Sequence, residues 1–471
     1  MACFLALDQG GHASRAILFD ERGRKVDEAF RPIGTRREGS DRVEHDGDEL
    51  VASLEACIVE VTGRHHDIAA AGLATQRSSM VCWDKRDGKP LSPVLSWQDR
   101  RHAAWLAQFE PRGAWIRERT GLVLTPHYGA SKMRWCLDNL PAVSEAARRG
   151  RLAMGPLASF LAHRLVRERV FVSDPANAAR TQLWDLHTRD WSPELVELFG
   201  VPRDCLPLSV TSRFDYGTLA AGRESIPLTV VTGDQSAVPF AFGALYPAAA
   251  YVNVGTGAFA QRAVHGRMPH APRLLASVVW SDRQGLDYML EGTVNGGGSA
   301  LDWLAAEDRV DIASLLAGAD APDQAEPPLF MNTVSGLGSP YWRSAGPPRF
   351  VGEGDAVARL TGVVESIAFL LAVNLEELAP HGPPLERIVL TGGFASNRAF
   401  LRRLAALAGV RVWCSVEQEA TARGLARLVA APAEPWDAGP GEWLEPLRDP
   451  ALHARYARWR QLLESMIALQ A

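Results

Sequence analysis

Cysteine pairs, excess positive charge and long apolar runs are all missing from this chain of 471 residues. The six cysteines are scattered without C-x-x-C or zinc spacing, which excludes a zinc module or disulfide framework and favours reduced thiols. The net charge of −5 offers no basic surface to nucleic acid or anionic lipid. Because we find neither a basic signal-peptide start nor an apolar run of about 18 residues, we expect a cytoplasmic protein with no membrane or nucleic-acid partner.

Several common catalytic motifs are absent as well. The chain contains no Walker A loop, no G-x-G-x-x-G, no H-E-x-x-H and no G-x-S-x-G. These absences weigh against P-loop enzymes, Rossmann dehydrogenases, zinc peptidases and α/β-hydrolases. The length is too great for one ordinary core, so two or three domains are expected.

Strand-like and helix-like segments alternate along the first half of the chain, which predicts an α/β fold. Strands are predicted at 3–8, 15–20, 26–33, 68–76 and 226–235, and helices at 48–62, 98–110, 130–140 and 156–167. The last of these strands ends in Gly-Asp-Gln, so it places a carboxylate, Asp234, at its carboxyl end.

A repeat links the two halves of the chain. FLALDQGGHASRAILFD (4–20) is similar to AYVNVGTGAFAQRAV (250–264), since each has an apolar strand, a turn with two glycines and a second strand containing arginine. The spacing predicts two related domains that face each other, and backbone N–H groups in both turns would clamp a polyphosphate. Chance similarity is the alternative, because the chain has 41 glycines.

A third glycine turn lies in IVLTGGFASNRAF (388–400). Here a β-branched strand runs into Gly392 and Gly393, and we predict a helix that starts after Ser396 as its N-cap. A strand at 411–415, a helix at 419–430, a proline-rich linker at 431–449 and a terminal helix at 451–469 complete the prediction.

Nine segments together resemble the FGGY carbohydrate kinases, and within them the glycerol kinases most closely. They are, in order, DQGGHASRAILFD, QRSSMVCWDKRDGKPLSPVLSWQDRR, TGLVLTPHYGASKMRW, GDQ, GTGAF, GLGSPYW, VVESIAF, TGGFASN and EATARGLA. The resemblance implies two actin-like (ribonuclease H-like) ATPase domains around a hinged cleft. Residues 1–239 would form the substrate side with the first phosphate loop, and 240–471 the ATP side, with a helical tail from about 446.

The resemblance also implies a role for individual residues. Asp234 would be the catalytic base, and Asp8 with Asp234 would hold Mg²⁺ through water, because Mg²⁺ keeps most of its hydration shell. Substrate-binding residues would be Arg77, Ser78, Trp97, His127, Asp234, Gln235 and Phe259. ATP-binding residues would be Gly10, Gly11, His12, Ser14, Arg15, Gly255, Thr256, Gly257, Gly298, Gly392, Gly393 and Asn397.

Structural readings of four of these residues stay open. Asp234 and Asp8 could be turn or helix-cap residues, Trp97 could be one more core residue among 14 tryptophans, and Asn397 could simply start a helix.

The chain departs from the glycerol kinase pattern at three places, two in the substrate segments and one in the first phosphate loop. Ser78 stands where the pattern has glutamate, and His127 where it has tyrosine. Ser78 removes a carboxylate, and the ring of His127 is smaller than that of tyrosine and can become positively charged near neutral pH. Together these changes favour a larger polyol, a sugar or an acidic substrate over glycerol. Gly11-His12-Ala13 replaces a Thr-Thr-Ser run, although the backbone cradle persists, and His12 could point inward or to solvent.

The sequence therefore predicts an ATP-dependent, Mg²⁺-dependent kinase acting on a polyol or sugar. The alternatives are a true glycerol kinase, a non-catalytic sugar or nucleotide sensor, and a chaperone or cytoskeletal ATPase, which would lack the segments at 76–135. Related enzymes are often dimers or tetramers, and either assembly is compatible with this chain.

Overall fold

The computed structural model describes residues 2–222, 225–312, 315 and 326–469. The strands are β1 Cys3–Gln9, β2 Ala13–Asp20, β3 Lys25–Pro32, β4 Arg36–Glu38, β5 Arg42–His45, β6 Ile68–Thr75, β7 Met80–Asp84, β8 Val94–Leu95, β9 Leu152–Pro156, β10 Val172–Ser173, β11 Trp184–Asp185, β12 Asp190–Trp191, β13 Leu208–Ser209, β14 Leu228–Gly233, β15 Ala249–Val254, β16 Ala258–His265, β17 Leu275–Ser281, β18 Leu286–Val294, β19 Leu329–Met331, β20 Arg349–Val351, β21 Arg387–Thr391, β22 Arg411–Ser415 and β23 Gly441–Leu444.

The α-helices of the described residues are α1 Gly47–Arg64, α2 Ala103–Leu106, α3 Gly113–Thr120, α4 Gly129–Asn139, α5 Pro141–Arg148, α6 Leu157–Leu165, α7 Pro175–Ala178, α8 Pro193–Phe199, α9 Asp234–Ala237, α10 Gly298–Asp308, α11 Ala356–Leu378, α12 Arg398–Ala408, α13 Ala420–Ala430 and α14 Pro450–Ala468. Short 3₁₀ helices cover Ala107–Arg112, Ala179–Thr181, Arg203–Cys205, Val238–Phe242, Ala379–His381 and Gly393–Ser396.

The first central sheet has the strand order β14-β6-β1-β2-β3. Strands β1 and β2 form an antiparallel hairpin, β3 pairs antiparallel with β2, and β6 and β14 continue the sheet in parallel with β1. The apolar strands β1 and β6 are covered by α1 and α6 on one side and by α13 on the other, as buried parallel strands require.

The second central sheet repeats that order. In β18-β16-β15-β21-β22, two antiparallel pairs are followed by two parallel pairs, as in the first sheet, and β17 and β23 are added at the edges. The two similar sequence segments are β1–β2 in one sheet and β15–β16 in the other. The repeat inferred from the sequence is therefore a structural duplication, and the predicted α/β fold with two related domains is confirmed.

Two predicted helices begin at residues other than those expected from the sequence. The helix predicted at 98–110 begins only at Ala103, because Asp99 is buried and accepts hydrogen bonds from Val43 N and from Arg101, which fixes a turn there. The helix α12 is capped by Asn397, not Ser396: Asn397 Oδ1 accepts a hydrogen bond from Phe400 N (2.9 Å), while Ser396 ends a 3₁₀ turn.

The predicted linker at 431–449 was also wrong. Residues Gly441–Leu444 pair antiparallel with β22, and Trp436 is buried with its Nε1 donating to Glu21 O (2.9 Å) in the first half of the chain. Proline at position 440 immediately precedes the strand, where no ladder hydrogen bond is lost. Proline content alone was a poor guide because one aromatic side chain anchors the segment.

Helix α11 corrects the statement that no segment approaches a membrane span. Residues 356–381 reach a mean hydropathy of 1.8 over 18 residues, but 72% of that window is buried inside the protein. The side chains of this helix pack on the second sheet and on Trp459 of α14, so its apolar character is that of a core helix.

Helix α13 lies on the first sheet although it follows a strand of the second. Gly72 on β6 faces Leu425 and Val429, and a Cβ at Gly72 would meet their side chains at 2.7–2.8 Å. A Cβ at Gly424 would meet the backbone oxygen of Ala237 at 2.0 Å. Only glycine permits this approach, so α13 ties the second half of the chain closely to the first.

Replacing Gly424 with alanine should destabilise this contact. The added methyl group collides with backbone that has no room to move, and overpacking of this kind costs about 1–3 kcal/mol of unfolding free energy. The matched control is Gly63→Ala on α1, where a Cβ meets nothing within 4 Å and should raise stability by about 0.5–1 kcal/mol. Denaturant unfolding of both variants checks this, and equal stability changes would refute the close packing.

Candidate active site

Five of the predicted site residues lie at the carboxyl ends of parallel strands, where open α/β sheets bind ligands. In the first sheet these ends are Gly10 after β1, Arg77 after β6 and Asp234 after β14; in the second they are Gly255 after β15 and Gly392 after β21. Each sheet thus contributes glycine turns at one edge, and the first sheet adds the two carboxylates of Asp8 and Asp234.

The first glycine turn is tight and well supported. Gly10 N donates to Ala13 O (3.0 Å), and the turn is joined to the end of β6 by the hydrogen bond from Gln76 N to Gln9 O (2.9 Å). Ser14 is fully buried, with its hydroxyl bonded to Gln9 Oε1 (2.8 Å) and Ser53 Oγ (2.6 Å). Ser14 therefore supports the turn from below, and its hydroxyl faces the core and not the cleft.

His12 stands at the exposed tip of this turn. Its neighbour is His45, whose pKa is lowered mainly by burial and further by the charge of His12. Gly11 has open space where a side chain would project, since a Cβ there meets nothing within 4 Å. The backbone cradle is therefore intact, and the missing hydroxyls could be accommodated.

Asp8 is a buried carboxylate and Asp234 a half-buried one, with its side chain 25% exposed, and the two influence each other. Burial raises the pKa of Asp8 to about 7, and the charge of Asp234 contributes in the same direction. Burial also raises the pKa of Asp234, against the opposing effect of Arg77. Asp234 Oδ1 accepts a hydrogen bond from Gln235 N (2.6 Å), and the helix N-cap at this point is Gly233, so Asp234 is not the cap of α9.

Arg15 connects the two halves of the cleft. Its guanidinium lies 3.9 Å from Asp8 Oδ2 and donates to Glu419 Oε2 at 3.3 Å, just before α13 begins. In the hairpin register Arg15 stands directly opposite Asp8, which places it beside the candidate metal ligand. It is therefore positioned between the first turn and the second half of the chain.

The second glycine turn, Gly255–Gly257, is buttressed by the start of α10. Gly255 N donates to Gly257 O (2.9 Å), and Gly298 N donates to Gly255 O (2.8 Å). Thr256 is exposed, with its backbone oxygen accepting from Ser299 N (3.0 Å). Gly298 thus supports the turn through its backbone, and Thr256 is the residue here whose hydroxyl is open to solvent.

The third turn requires glycine at position 392. Its φ of +92° is in the region that side chains avoid, and a Cβ would meet Val254 O at 2.5 Å. Gly393 is exposed with open space around it. Asn397 does start a helix, as the structural alternative held, and this use of its Oδ1 leaves the Nδ2 group as the one available to a nucleotide.

Two of the predicted substrate residues, Arg77 and Gln235, lie next to Asp234. Arg77 packs its methylene groups against Gly233, and its Nε lies 4.0 Å from Asp234 Oδ1. Trp97 is 39% exposed, so it is not a core residue, and its ring lies near that of His127. Gln235 is exposed and Phe259 is half-buried on β16 of the second sheet.

Lys132 joins the two positions at which this chain departs from the glycerol kinase pattern. The ammonium group is 1% exposed and donates to the backbone oxygens of Ser78 (2.9 Å) and His127 (2.7 Å). Burial lowers the pKa of Lys132 to about 7, against the charge of Asp99. Ser78 has φ +64° and a buried hydroxyl without a hydrogen-bond partner.

His127 differs from the expectation of a charged ring. It lies edge-on to Trp97, with ring centroids 5.5 Å apart. Burial lowers its pKa well below 6.5, and the charges of Lys132, Arg180, Arg100 and Arg77 act in the same direction. His127 is therefore a neutral side chain near pH 7, because the surrounding cations disfavour its protonation.

Sequence reasoning missed two charged residues that act on Arg77, namely Arg180 and Glu291. Arg180 is 6% exposed and lies over the ring of Tyr128, with 5.0 Å from the guanidinium carbon to the ring centroid. Glu291 on β18 is 6% exposed and accepts from Gln261 Nε2 (2.6 Å). The charges of these two residues act on the pKa of Arg77 in opposite directions: Arg180 lowers it and Glu291 raises it. The segment that carries Arg180 has no local pattern that signals a site.

The two carboxylates fit a magnesium ion held largely through water. Mg²⁺ prefers oxygen ligands and commonly uses one or two carboxylates together with substrate phosphates. Burial is the main cause of the raised pKa of Asp8 and the charge of Asp234 adds to it, so a cation bound there would favour the ionised carboxylates. Among the described residues no three His, Cys, Asp or Glu side chains form a metal-holding group, so an all-protein cage is not what this site offers.

The neutral state of His127 predicts a pH effect on stability. The unfolded imidazole titrates near 6.5, the folded one lower, so the unfolded chain binds more protons and stability falls as pH drops through 6.5. Substituting His127→Gln should reduce that loss by up to about 1.4 kcal/mol per pH unit below 6.5. Denaturant unfolding at several pH values, with exposed His270→Gln as control, checks this; an unchanged pH dependence in H127Q would contradict it.

The sequence and the structure were compared with known proteins. The N-terminal domain of the FGGY family of carbohydrate kinases matches residues 3–245, and the C-terminal domain of that family matches residues 250–433. The glycerol kinase of Bordetella parapertussis is 36% identical over 498 aligned positions, which cover 98% of this chain and 96% of that protein. The glycerol kinase of Koribacter versatilis is 35% identical, with 92% and 90% covered.

Solved structures agree on the fold. Glycerol kinase of Plasmodium falciparum with ADP superposes with a TM-score of 0.91 at 21% identity, covering 99% of this chain and 98% of that one. Xylulose kinase of Rhodospirillum rubrum gives a TM-score of 0.86 at 20% identity, covering 99% and 98%. The resemblance drawn from the nine segments is confirmed: this chain belongs to the FGGY family of carbohydrate kinases, enzymes that transfer a phosphoryl group to an alcohol.

Proposed function

We propose that this protein is an ATP-dependent kinase of a polyol or sugar other than glycerol, with Asp234 as general base. The supporting observation is the position of Asp234: it follows β14, lies 4.0 Å from Arg77 in the acceptor pocket, and is close enough to Asp8 beside the first glycine turn to raise the pKa of that carboxyl. A base between the acceptor pocket and the phosphate turns is what in-line transfer requires.

The residues divide the chemistry among them. Asp234 accepts the proton of the acceptor hydroxyl, and its raised pKa makes it a better base than an ordinary aspartate. The turns at Gly10–Gly11, Gly255–Gly257 and Gly392–Gly393 offer backbone N–H groups to the phosphates, with Arg15 and Thr256 beside them. Mg²⁺, held by Asp8 and Asp234, would neutralise the charge of the transferring phosphates.

The pocket argues against glycerol as the preferred acceptor. Ser78 has a short side chain with a buried hydroxyl where the glycerol kinase pattern has a carboxylate able to accept bonds from two hydroxyl groups. His127 leaves more room than tyrosine and, being neutral, offers polarity without charge. Trp97 presents an exposed indole face, on which the apolar face of a longer polyol or sugar could lie.

The domain assignment is part of this proposal. Residues 1–239 form the substrate side and 240–471 the ATP side, with a hinged cleft between them and Asn397 and Gly393 toward the adenosine. Assembly as a homodimer or homotetramer is compatible with it. A non-catalytic sensor would have no need of both Asp8 and Asp234, so that alternative is not favoured.

Replacing the base should abolish turnover. We expect Asp234→Asn to lower kcat by about 10²–10⁴-fold, the range for loss of a general base, while ATP binding persists. ADP release in a coupled assay over glycerol, four- to six-carbon polyols, pentuloses and sugar acids measures this. Asp302→Asn, at an exposed carboxylate on α10, is the control. Unchanged turnover in D234N would remove Asp234 from the catalytic role.

Restoring a hydroxyl to the first glycine turn should improve ATP use. Gly11 has room for a side chain, and a charge-assisted hydrogen bond to a phosphate contributes roughly 1.5–3 kcal/mol. We expect Gly11→Thr to raise kcat/KM for ATP by about tenfold or more, since each 1.36 kcal/mol is tenfold in rate. Gly113→Thr, at a helix start with open space, is the control. A lower kcat/KM in G11T would mean that the turn is adapted to glycine.

A further inference from the structure

Arg180 is a buried cation with unused hydrogen-bonding capacity. Its side chain is 6% exposed, and its Nε has no hydrogen-bond partner. In the described part of the chain its guanidinium forms no ion pair, and it lies over the ring of Tyr128 with its carbon 5.0 Å from the ring centroid. A buried guanidinium with free donors is costly unless a ligand supplies acceptors.

Arg77 is a second, partly buried cation, with its side chain 11% exposed. Its nearest carboxylate, Asp234, lies 4.0 Å away, which is beyond hydrogen-bond distance. Burial lowers the pKa of Arg77 to about 10, and Arg180 is the next largest cause. The positive charge of Arg180 therefore acts unfavourably on the protonated Arg77, and a bound anion would offset that repulsion.

The acceptors around this pair are already committed or missing. One carboxylate oxygen of Glu291 is bonded to Gln261 Nε2 at 2.6 Å, and Asp234 is needed for the proton of the acceptor. Position 78, immediately after Arg77, carries a serine whose buried hydroxyl is itself unpartnered. A carboxylate at position 78, as in the glycerol kinase pattern, would compensate the cations; serine does not.

We propose that the acceptor is a polyhydroxy carboxylic acid, with its carboxylate bound by Arg180 and its hydroxyl groups held by Arg77. This rests on the proposed function. A carboxylate matches the planar donor pair of a guanidinium and supplies the charge that position 78 lacks. In the reaction the acceptor oxygen bonds to the γ-phosphorus, the bond from that phosphorus to ADP breaks, and the hydroxyl proton passes to Asp234.

The first test compares acids and alcohols of equal length. Aldonates of four, five and six carbons differ from the corresponding alditols only in a terminal carboxylate. We expect kcat/KM for one aldonate to exceed that of its alditol by at least about tenfold, as one charge-assisted pair implies. In Arg180→Gln this ratio should fall by about tenfold, through KM for the acid, while Arg180→Lys retains an intermediate ratio.

The second test restores the missing carboxylate. Ser78→Glu should lower kcat/KM for the aldonate by at least about tenfold and leave or raise that for the alditol, because the new charge competes for the same cations. Arg148→Gln is the matched control, since Arg148 is exposed on α5 and paired with Glu145. Thermal melts confirm that each variant is folded.

The outcomes separate this inference from the proposed function. Preference for a neutral alditol would overturn the acidic acceptor and leave the kinase in place. An equal fall of kcat for acid and alcohol in R180Q would overturn the binding role and assign Arg180 to the transferring phosphoryl group. If no compound is turned over, the proposed function fails, and calorimetric titration of aldonates still decides the inference: binding weakened tenfold in R180Q supports it, and absence of binding overturns it.

Discussion

The close packing of helix α13 on the first sheet holds the two halves of the cleft together. Because Gly424 lies against Ala237 and Gly72 against Leu425, the helix sits at a distance that only glycine permits. Arg423, beside Gly424, donates to Ala241 O (2.9 Å) and to Gly23 O (3.5 Å) in the first half. Because Glu419 immediately precedes this helix, the packing of the helix places its carboxylate beside Arg15. Arg15 in turn lies 3.9 Å from Asp8, so the surroundings of Asp8 depend on this helix.

A single buried lysine supports the two positions at which this chain departs from the glycerol kinase pattern. One buried ammonium, Lys132, holds the backbone of both Ser78 and His127, and neither hydrogen bond involves the side chain of those residues. Substitution at positions 78 and 127 therefore leaves the backbone acceptors of these two hydrogen bonds in place. The frame is set by backbone and the chemistry by side chains, which is how one family can serve acceptors of different charge and size.

The sequence predicted the elements whose determinants are local. The strands around DQGGHA and GTGAF, the helix at 48–62 and the carboxylate that ends the strand at 226–235 follow from apolar periodicity and glycine turns, and the duplication exposed the two sheets. Arg180 and Glu291 could not be found this way, because Arg77 meets them only after the chain has folded over 100 and 200 further positions. The stretch at 431–449 failed for the same reason: its anchor, Trp436, bonds to Glu21.

Strand β23 has a consequence for how the protein behaves among its own copies. It covers the outer edge of β22 along four residues and then stops, and Arg398 forms an ion pair with Glu442 at its margin. An uncovered β22 would present a row of free backbone donors and acceptors, the template on which sheets join edge to edge. The short strand β23, which carries Glu442, pairs with these groups, so the segment predicted to be a linker removes a long free edge from the second sheet.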